Sequence, residues 1–244
     1  MKGSPLAAVL CAPGTNRDAD VSFALQQAGA TPISYLMTDL VSQPSRIDDA
    51  DIIVIAGGFS YADALGAGRL FAVELEDSIG ERISAAIADC RPVIGICNGF
   101  QTLVRMGILP GADCVAALGH NEAGVFDCRW VEMEPISKKC IWTRHLTENI
   151  TCPIAHGEGR FTADSSTLSS LLKNDQVALR YVNVNPNGSV DNIAGVCDSS
   201  GVVLGLMPHP ENHVVARQHP QFHRGNSGGL GLSLFREGVK YVNN

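Results

Sequence analysis

The sequence predicts an α/β protein with a mostly parallel central sheet, helices on both faces and antiparallel additions in its second half. Three observations carry that prediction. Over the first hundred residues the apolar runs at 6–11, 31–35, 51–56 and 93–96 are short and nearly continuous, as strands buried on both faces require. Segments of helical periodicity separate them, which implies parallel strands joined by crossover helices. Beyond residue 125 the runs at 126–134 and 177–184 instead alternate or mix polarity, the mark of antiparallel strands.

Each element follows from local signals. The first strand ends in Ala12-Pro13-Gly14-Thr15-Asn16, a turn carrying helix-cap residues. A helix over 18–28 then places Val21, Leu25 and Ala28 on one face and stops at Gly29. The run Ile52-Ile53-Val54-Ile55 leads straight into Gly57-Gly58-Phe59-Ser60-Tyr61. A helix is predicted over 71–89, and another carrying Phe100, Leu103 and Val104 up to Gly107. Turn cluster Asn185-Pro186-Asn187-Gly188 precedes a strand at 193–197, and a buried strand at 202–207 ends in Pro208-His209-Pro210-Glu211. A last helix over 230–242 presents Leu230, Leu234 and Val239. No repeat, low-complexity tract or long linker divides the chain, so one domain over 1–244 is expected.

Composition narrows the function classes. The formal charge is −7 with no Lys/Arg cluster, which argues against nucleic acid as a partner. No apolar run approaches the ~20 residues of a membrane span, and the start at Met1 is too poorly patterned for a secretion signal. A cytoplasmic protein without membrane contact is expected. Eight cysteines are scattered with no C-x-x-C pair, consistent with reduced thiols. The pairs His209/His213 and His219/His223 have helical metal-ligand spacing, but Pro210 and Pro220 interrupt any such helix. No metal site is expected.

The chemistry centres on Gly95-Ile96-Cys97-Asn98-Gly99-Phe100-Gln101. Cys97 falls between a buried strand and a helix, and the flanking glycines remove side chains that would collide in so tight a bend. This is the pattern of a nucleophile elbow, with cysteine in place of serine. A thiol needs a base, and the base needs an orienting acceptor. His209 and Glu211 supply both if Pro208-His209-Pro210-Glu211 runs extended, since positions i and i+2 then share a side. The oxyanion formed by attack on a carbonyl needs N–H donors, for which the backbone of Asn98 and the Gly57-Gly58-Phe59 loop are the candidates. All three loops follow strands and converge where open α/β sheets bind ligands.

These motifs resemble those of the class I glutamine amidotransferases. Gly95 to Gln101 is similar to the family's nucleophile motif, and Pro208-His209-Pro210-Glu211 to its His/Glu motif. Gly57-Gly58-Phe59-Ser60-Tyr61, Ala155-His156-Gly157-Glu158-Gly159-Arg160-Phe161 and Asn185-Pro186-Asn187-Gly188-Ser189 extend the likeness over essentially the whole chain, toward the branch that serves purine biosynthesis. The resemblance implies a flavodoxin-like glutaminase with Cys97, His209 and Glu211 catalytic and Gly58 and Asn98 as the backbone oxyanion hole. It further implies glutamine contacts at Gln101, Phe59, Asn121 and Phe126, and a subunit or ammonia-transfer contact at His156 and Glu158. Ammonia would pass to a large synthetase subunit, with a small third subunit, and ATP and magnesium would sit on that partner. The chain itself has no G-x-x-x-x-G-K-[ST] loop and needs no cofactor of its own.

Three positions depart from the family pattern: Ala62 where glycine is usual, Ala123 where serine is, and Asn212 where arginine is. The segment 217–228, rich in His, Gly and Asn, reads as insert-like. Residues alone leave open a cysteine hydrolase, an amidotransferase of another pathway, or a silent binding module in which Cys97 is structural.

Overall fold

The computed structural model describes residues 3–244; Met1 and Lys2, where the reading for a targeting signal began, lie outside the described residues. In chain order the elements are β1 (Leu6–Cys11), α1 (Asp18–Ala28), β2 (Thr31–Leu36), α2 (Met37–Ser42), β3 (Ile52–Ile55), α3 (Arg69–Ala88), β4 (Val93–Ile96) and α4 (Asn98–Arg105). There follow β5 (Ala116–Gly119), β6 (Asp127–Pro135), β7 (Ile150–His156), β8 (Arg160–Ala163), α5 (Ser165–Lys173), β9 (Val177–Val182), β10 (Ile193–Cys197), β11 (Val203–Leu206) and α6 (Leu232–Asn243).

Nine strands form one sheet in the order β2-β1-β3-β4-β11-β10-β9-β6-β7, and β5 pairs with β8 apart from it. From β2 to β11 neighbouring strands are parallel; from β11 to β7 they are antiparallel. The burial follows the same division. Every residue of β3, β4 and β11 is buried, whereas β7 alternates buried and half-buried side chains along its length. Helix α1 packs on α6, and α3 packs on α4. With right-handed crossovers, the reversal of direction at β1 puts these two pairs on opposite faces of the sheet.

Five elements, α2, β5, β7, β8 and α5, were not read from the sequence, and two of them show why. Pro153 breaks the apolar pattern of β7, since proline cannot donate to a ladder; it is accommodated because β7 is the sheet's edge strand. Helix α5 reads as Ser-Ser-Thr-Leu-Ser-Ser, a loop-like composition. Its start is fixed by Asp164, whose carboxylate accepts the Thr167 N–H at 2.7 Å.

The switch in strand order at β1 brings the loops after β1 and β3 side by side. Asn16 N–H donates to the Gly57 carbonyl at 3.4 Å, and Phe59 N–H to the Gly14 carbonyl at 3.0 Å. Next to them, α4 lies directly against the sheet. A Cβ on Gly99 would sit 2.0 Å from the Ile55 carbonyl oxygen, and one on Gly95 2.6 Å from the Gly99 oxygen. Glycine at both positions lets helix backbone touch strand backbone, which sets the entry of α4 at the end of β4.

Candidate active site

Cys97 occupies the bend between β4 and α4 with φ +51° and ψ −105°. A non-glycine residue there carries about 1–3 kcal/mol of strain, maintained only because its surroundings fix it. Its N–H donates to the Leu206 carbonyl of β11 at 2.8 Å, and its carbonyl accepts the Gln101 N–H at 3.0 Å. The buried side chain turns toward β7, with Sγ 3.9 Å from the Ala155 oxygen.

His209 follows β11, and its N–H donates to the Pro153 carbonyl of β7 at 2.8 Å. The expected extended run stops there. Pro210 opens a single 3-10 turn, Pro210–Asn212, because its fixed φ suits a first helical position. The turn still carries Glu211 back to the imidazole, with Nδ1 and Oε1 2.7 Å apart and both side chains buried. Burial disfavours a charged ring at His209, yet the Glu211 carboxylate and the neighbouring Cys97 sulfur outweigh it and push the group up to about 10. An imidazolium at neutral pH is the result, placed beside the sulfur. Behind it, burial and the Glu211 charge raise the Cys152 thiol far above its ordinary value, so it stays neutral.

The pairing of the β1 and β3 loops turns the Gly58 N–H away from that ladder. Neither it nor the Asn98 N–H has an acceptor among the described residues. Gly57 is needed for close approach: a Cβ on it would meet the His209 ring at 3.0 Å and the Cys97 Cβ at 3.5 Å.

A cleft of about 220 Å³ opens over Cys97, of the order an amino acid requires. Phe59, Gln101, Phe126, His156 and Glu158 line it, with the two phenyl rings 6.2 Å apart between centroids and partly exposed. A larger depression of about 460 Å³ between residues 145–149 and the start of α6 is lined by none of Cys97, His209 and Glu211. Asn121 lies behind the cleft wall instead. Its Nδ2 donates to the Val125 and His156 carbonyls, and its Oδ1 accepts from the Gly159 N–H and from His156 Nδ1 at 3.0 Å. Burial and the charge of His209 push His156 down to about 4, leaving a neutral ring whose Nε2 is buried without a partner.

Ser60, Asp63, Ala67 and His120 belong to the same locality but were given no role from the sequence. Asn98 ties the loop after β3 to α4: Oδ1 accepts from Ser60 at 2.5 Å, and Nδ2 donates to Asp63 and to Gln101 Oε1, each at 3.0 Å. The clue to Asp63 was an acidic residue following Gly57-Gly58-Phe59-Ser60-Tyr61-Ala62 in an otherwise small and apolar loop. Tyr61, Ala62 and Asp63 have φ of +53°, +54° and +52°. That left-handed turn accounts for the glycine usual at 62. Ala62→Gly is therefore expected to stabilise the protein by roughly 0.5–1 kcal/mol, the left-handed penalty less glycine's chain entropy. Urea unfolding measures it, and a variant no more stable than the parent refutes it. Asn212, the other departure near the site, donates to Asp20 of α1 at 2.8 Å.

His213 and His219 approach one another, with ring centroids 5.6 Å apart, and both pack against Trp130. Among the described residues no three His, Cys, Asp or Glu side chains converge on a metal position. No described helix is long and apolar enough to cross a membrane. All eight cysteines are free thiols.

Residues 4–242 match the CobB/CobQ-like glutamine amidotransferase domain. The chain belongs to that family. This amidotransferase is 45% identical to phosphoribosylformylglycinamidine synthase subunit PurQ of Treponema denticola, over 98% of this chain and 99% of the relative. A subunit of the same name from Dehalococcoides mccartyi is 36% identical, over 96% of each chain. A PurLQS structure from Thermotoga maritima superposes with a TM-score of 0.79 at 34% identity, covering 98% of this amidotransferase and 99% of that chain. A further glutamine amidotransferase from Thermotoga maritima shares the fold at 16% identity and TM-score 0.53, over 92% of this chain and 83% of that one.

Proposed function

We propose that this chain is the glutaminase subunit of a phosphoribosylformylglycinamidine synthase, acting as a single domain in the cytoplasm. It supplies ammonia to an ATP- and magnesium-dependent synthetase subunit that converts formylglycinamide ribonucleotide to the amidine, in a complex with a small third subunit. The observation that carries the reading is the assembly of His209 and Glu211 beside Cys97, which lines an amino-acid-sized cleft. Full-length similarity to subunits of that name supports the pathway.

In the proposed reaction the Cys97 sulfur attacks the side-chain amide carbon of glutamine. The free Gly58 and Asn98 N–H groups face the oxygen as it gains charge. The imidazolium of His209 gives its proton to the leaving nitrogen, the C–N bond breaks, and ammonia departs from a glutamyl thioester. Neutral His209 then takes a proton from water as it adds to the thioester. The C–S bond breaks and glutamate leaves. Glu211 keeps the ring in the tautomer that presents its other nitrogen to the sulfur.

Glutamate release, measured for the chain alone and with the synthetase, ATP, magnesium and formylglycinamide ribonucleotide, tests the reading. Low activity alone and at least a tenfold rise on assembly are expected, since ammonia released without an acceptor is lost. Full activity of the isolated chain removes the case for a dependent subunit.

A further inference from the structure

The cleft that holds Cys97 also holds two carboxylates, Asp63 and Glu158, and neither Lys nor Arg lines it. Each carboxylate commits one oxygen to the chain. Asp63 Oδ1 accepts from Asn98 Nδ2 at 3.0 Å, and Glu158 Oε2 from the Ala67 N–H at 3.4 Å. The second oxygen of each has no donor among the described residues. Burial, and then the charge of Glu158, raises the Asp63 carboxyl above its ordinary value, as expected for acids facing one another without a counter-charge.

A second, independent feature marks the same cleft as built for a donor. His156 is 97% buried, the complement of its 3% exposure, and lines the cleft. Its Nδ1 faces the Asn121 carbonyl oxygen at 3.0 Å, so Nδ1 carries the hydrogen and Nε2 is a bare acceptor. That Nε2 has no partner. Buried acceptors of this kind are normally satisfied, by the chain, by ordered water or by a bound group. The wall around them is held rigid: Gln101 accepts from Asn98 at 3.0 Å and donates to the Glu158 carbonyl at 2.6 Å.

A primary ammonium group offers three donors and one positive charge, which is what two half-satisfied carboxylates lack. We propose that Asp63 and Glu158 bind the α-ammonium of the substrate and so select an α-amino acid amide over an ω-amide without that group. The assignment rests on the glutaminase reading and deepens it. Glu158 becomes a substrate contact, where the family resemblance implied one to a subunit or to ammonia.

The test compares L-glutamine with glutaramate, the same carbon chain without the α-ammonium, as substrates of the assembled complex. Wild type, Asp63→Asn and Glu158→Gln are assayed for kcat/KM on both. The ratio of kcat/KM for L-glutamine to that for glutaramate is expected to fall at least tenfold in each variant. Asp63→Asn keeps an oxygen for Asn98, and turnover of glutaramate reports an assembled site in either variant. A ratio within twofold of wild type overturns the assignment, whether both substrates lose rate together or neither does. A wild-type complex that turns over neither amide overturns the glutaminase reading and the assignment together.

Discussion

Cys97→Ala is expected to lower glutamine-dependent synthesis by the assembled complex by about 10³-fold or more, while synthesis supported by added ammonium salt stays within twofold of wild type. The first half follows from the chemistry: without the sulfur no thioester forms, and loss of a nucleophile that acts as a unit with its base removes most of the acceleration. The second half follows from the division of labour. Ammonia supplied from solution bypasses the cleft and reaches the synthetase directly. Structural damage is a weak alternative explanation, because alanine keeps the backbone of the elbow and loses one sulfur whose contact with the Ala155 oxygen is at 3.9 Å. The left-handed φ of +51° at position 97 is equally strained for either residue. Glutamate release and ammonia-dependent product formation, measured on the same preparation, check both halves. Surviving glutamine-dependent synthesis would make Cys97 a structural residue and return the chain to the class of silent subunits.

How far the sequence alone leads can be judged residue by residue. The bounds of β1, α1 and β10 are those expected, because continuous apolar runs and a glycine stop are strong local signals. The elbow was equally legible, since Gly95 and Gly99 mark contacts that tolerate no side chain. What was hidden depends on partners distant in sequence. Pro153 in β7 is tolerated only at a sheet edge, and edge position is a property of the whole topology. Asn121 looked like a substrate contact, yet four hydrogen bonds from residues 125–159 consume its amide and make it the support for His156. Asp63 gains its significance from Asn98 and Glu158, 35 and 95 residues away in the chain, and no local pattern announces such a meeting. The pairing of His209 with Glu211 was anticipated for the wrong geometry. A turn opened by Pro210, not an extended run, closes the 2.7 Å contact.

Glu211→Gln separates the charge of that pair from its shape. Glutamine keeps an oxygen for Nδ1 but removes the carboxylate that, with the Cys97 sulfur, outweighs burial and raises His209 to about 10. Burial then prevails and the ring becomes neutral near physiological pH. Two consequences follow, of which the first is kinetic. The variant lacks the acid that protonates departing ammonia, so kcat for glutamine in the complex is expected to fall by about 10²–10⁴-fold, and its alkaline limb to move toward neutral pH. The second is thermodynamic, and its sign is fixed by linkage. A histidine whose folded value lies above its unfolded value of about 6.5 stabilises the fold fully below that pH, and loses the contribution as pH rises through about 10. Above that point the wild type also retains Glu211 as a buried charge without its counter-charge, one of whose oxygens, Oε2, already has no partner. Denaturant unfolding of both proteins at pH 7 and pH 10 should therefore show the stability difference, wild type minus variant, becoming smaller or reversing at the higher pH. A difference that is the same at both values would mean that Glu211 does not hold a proton on His209. The imidazole would then be positioned by the Pro153 carbonyl and the Pro210 turn alone.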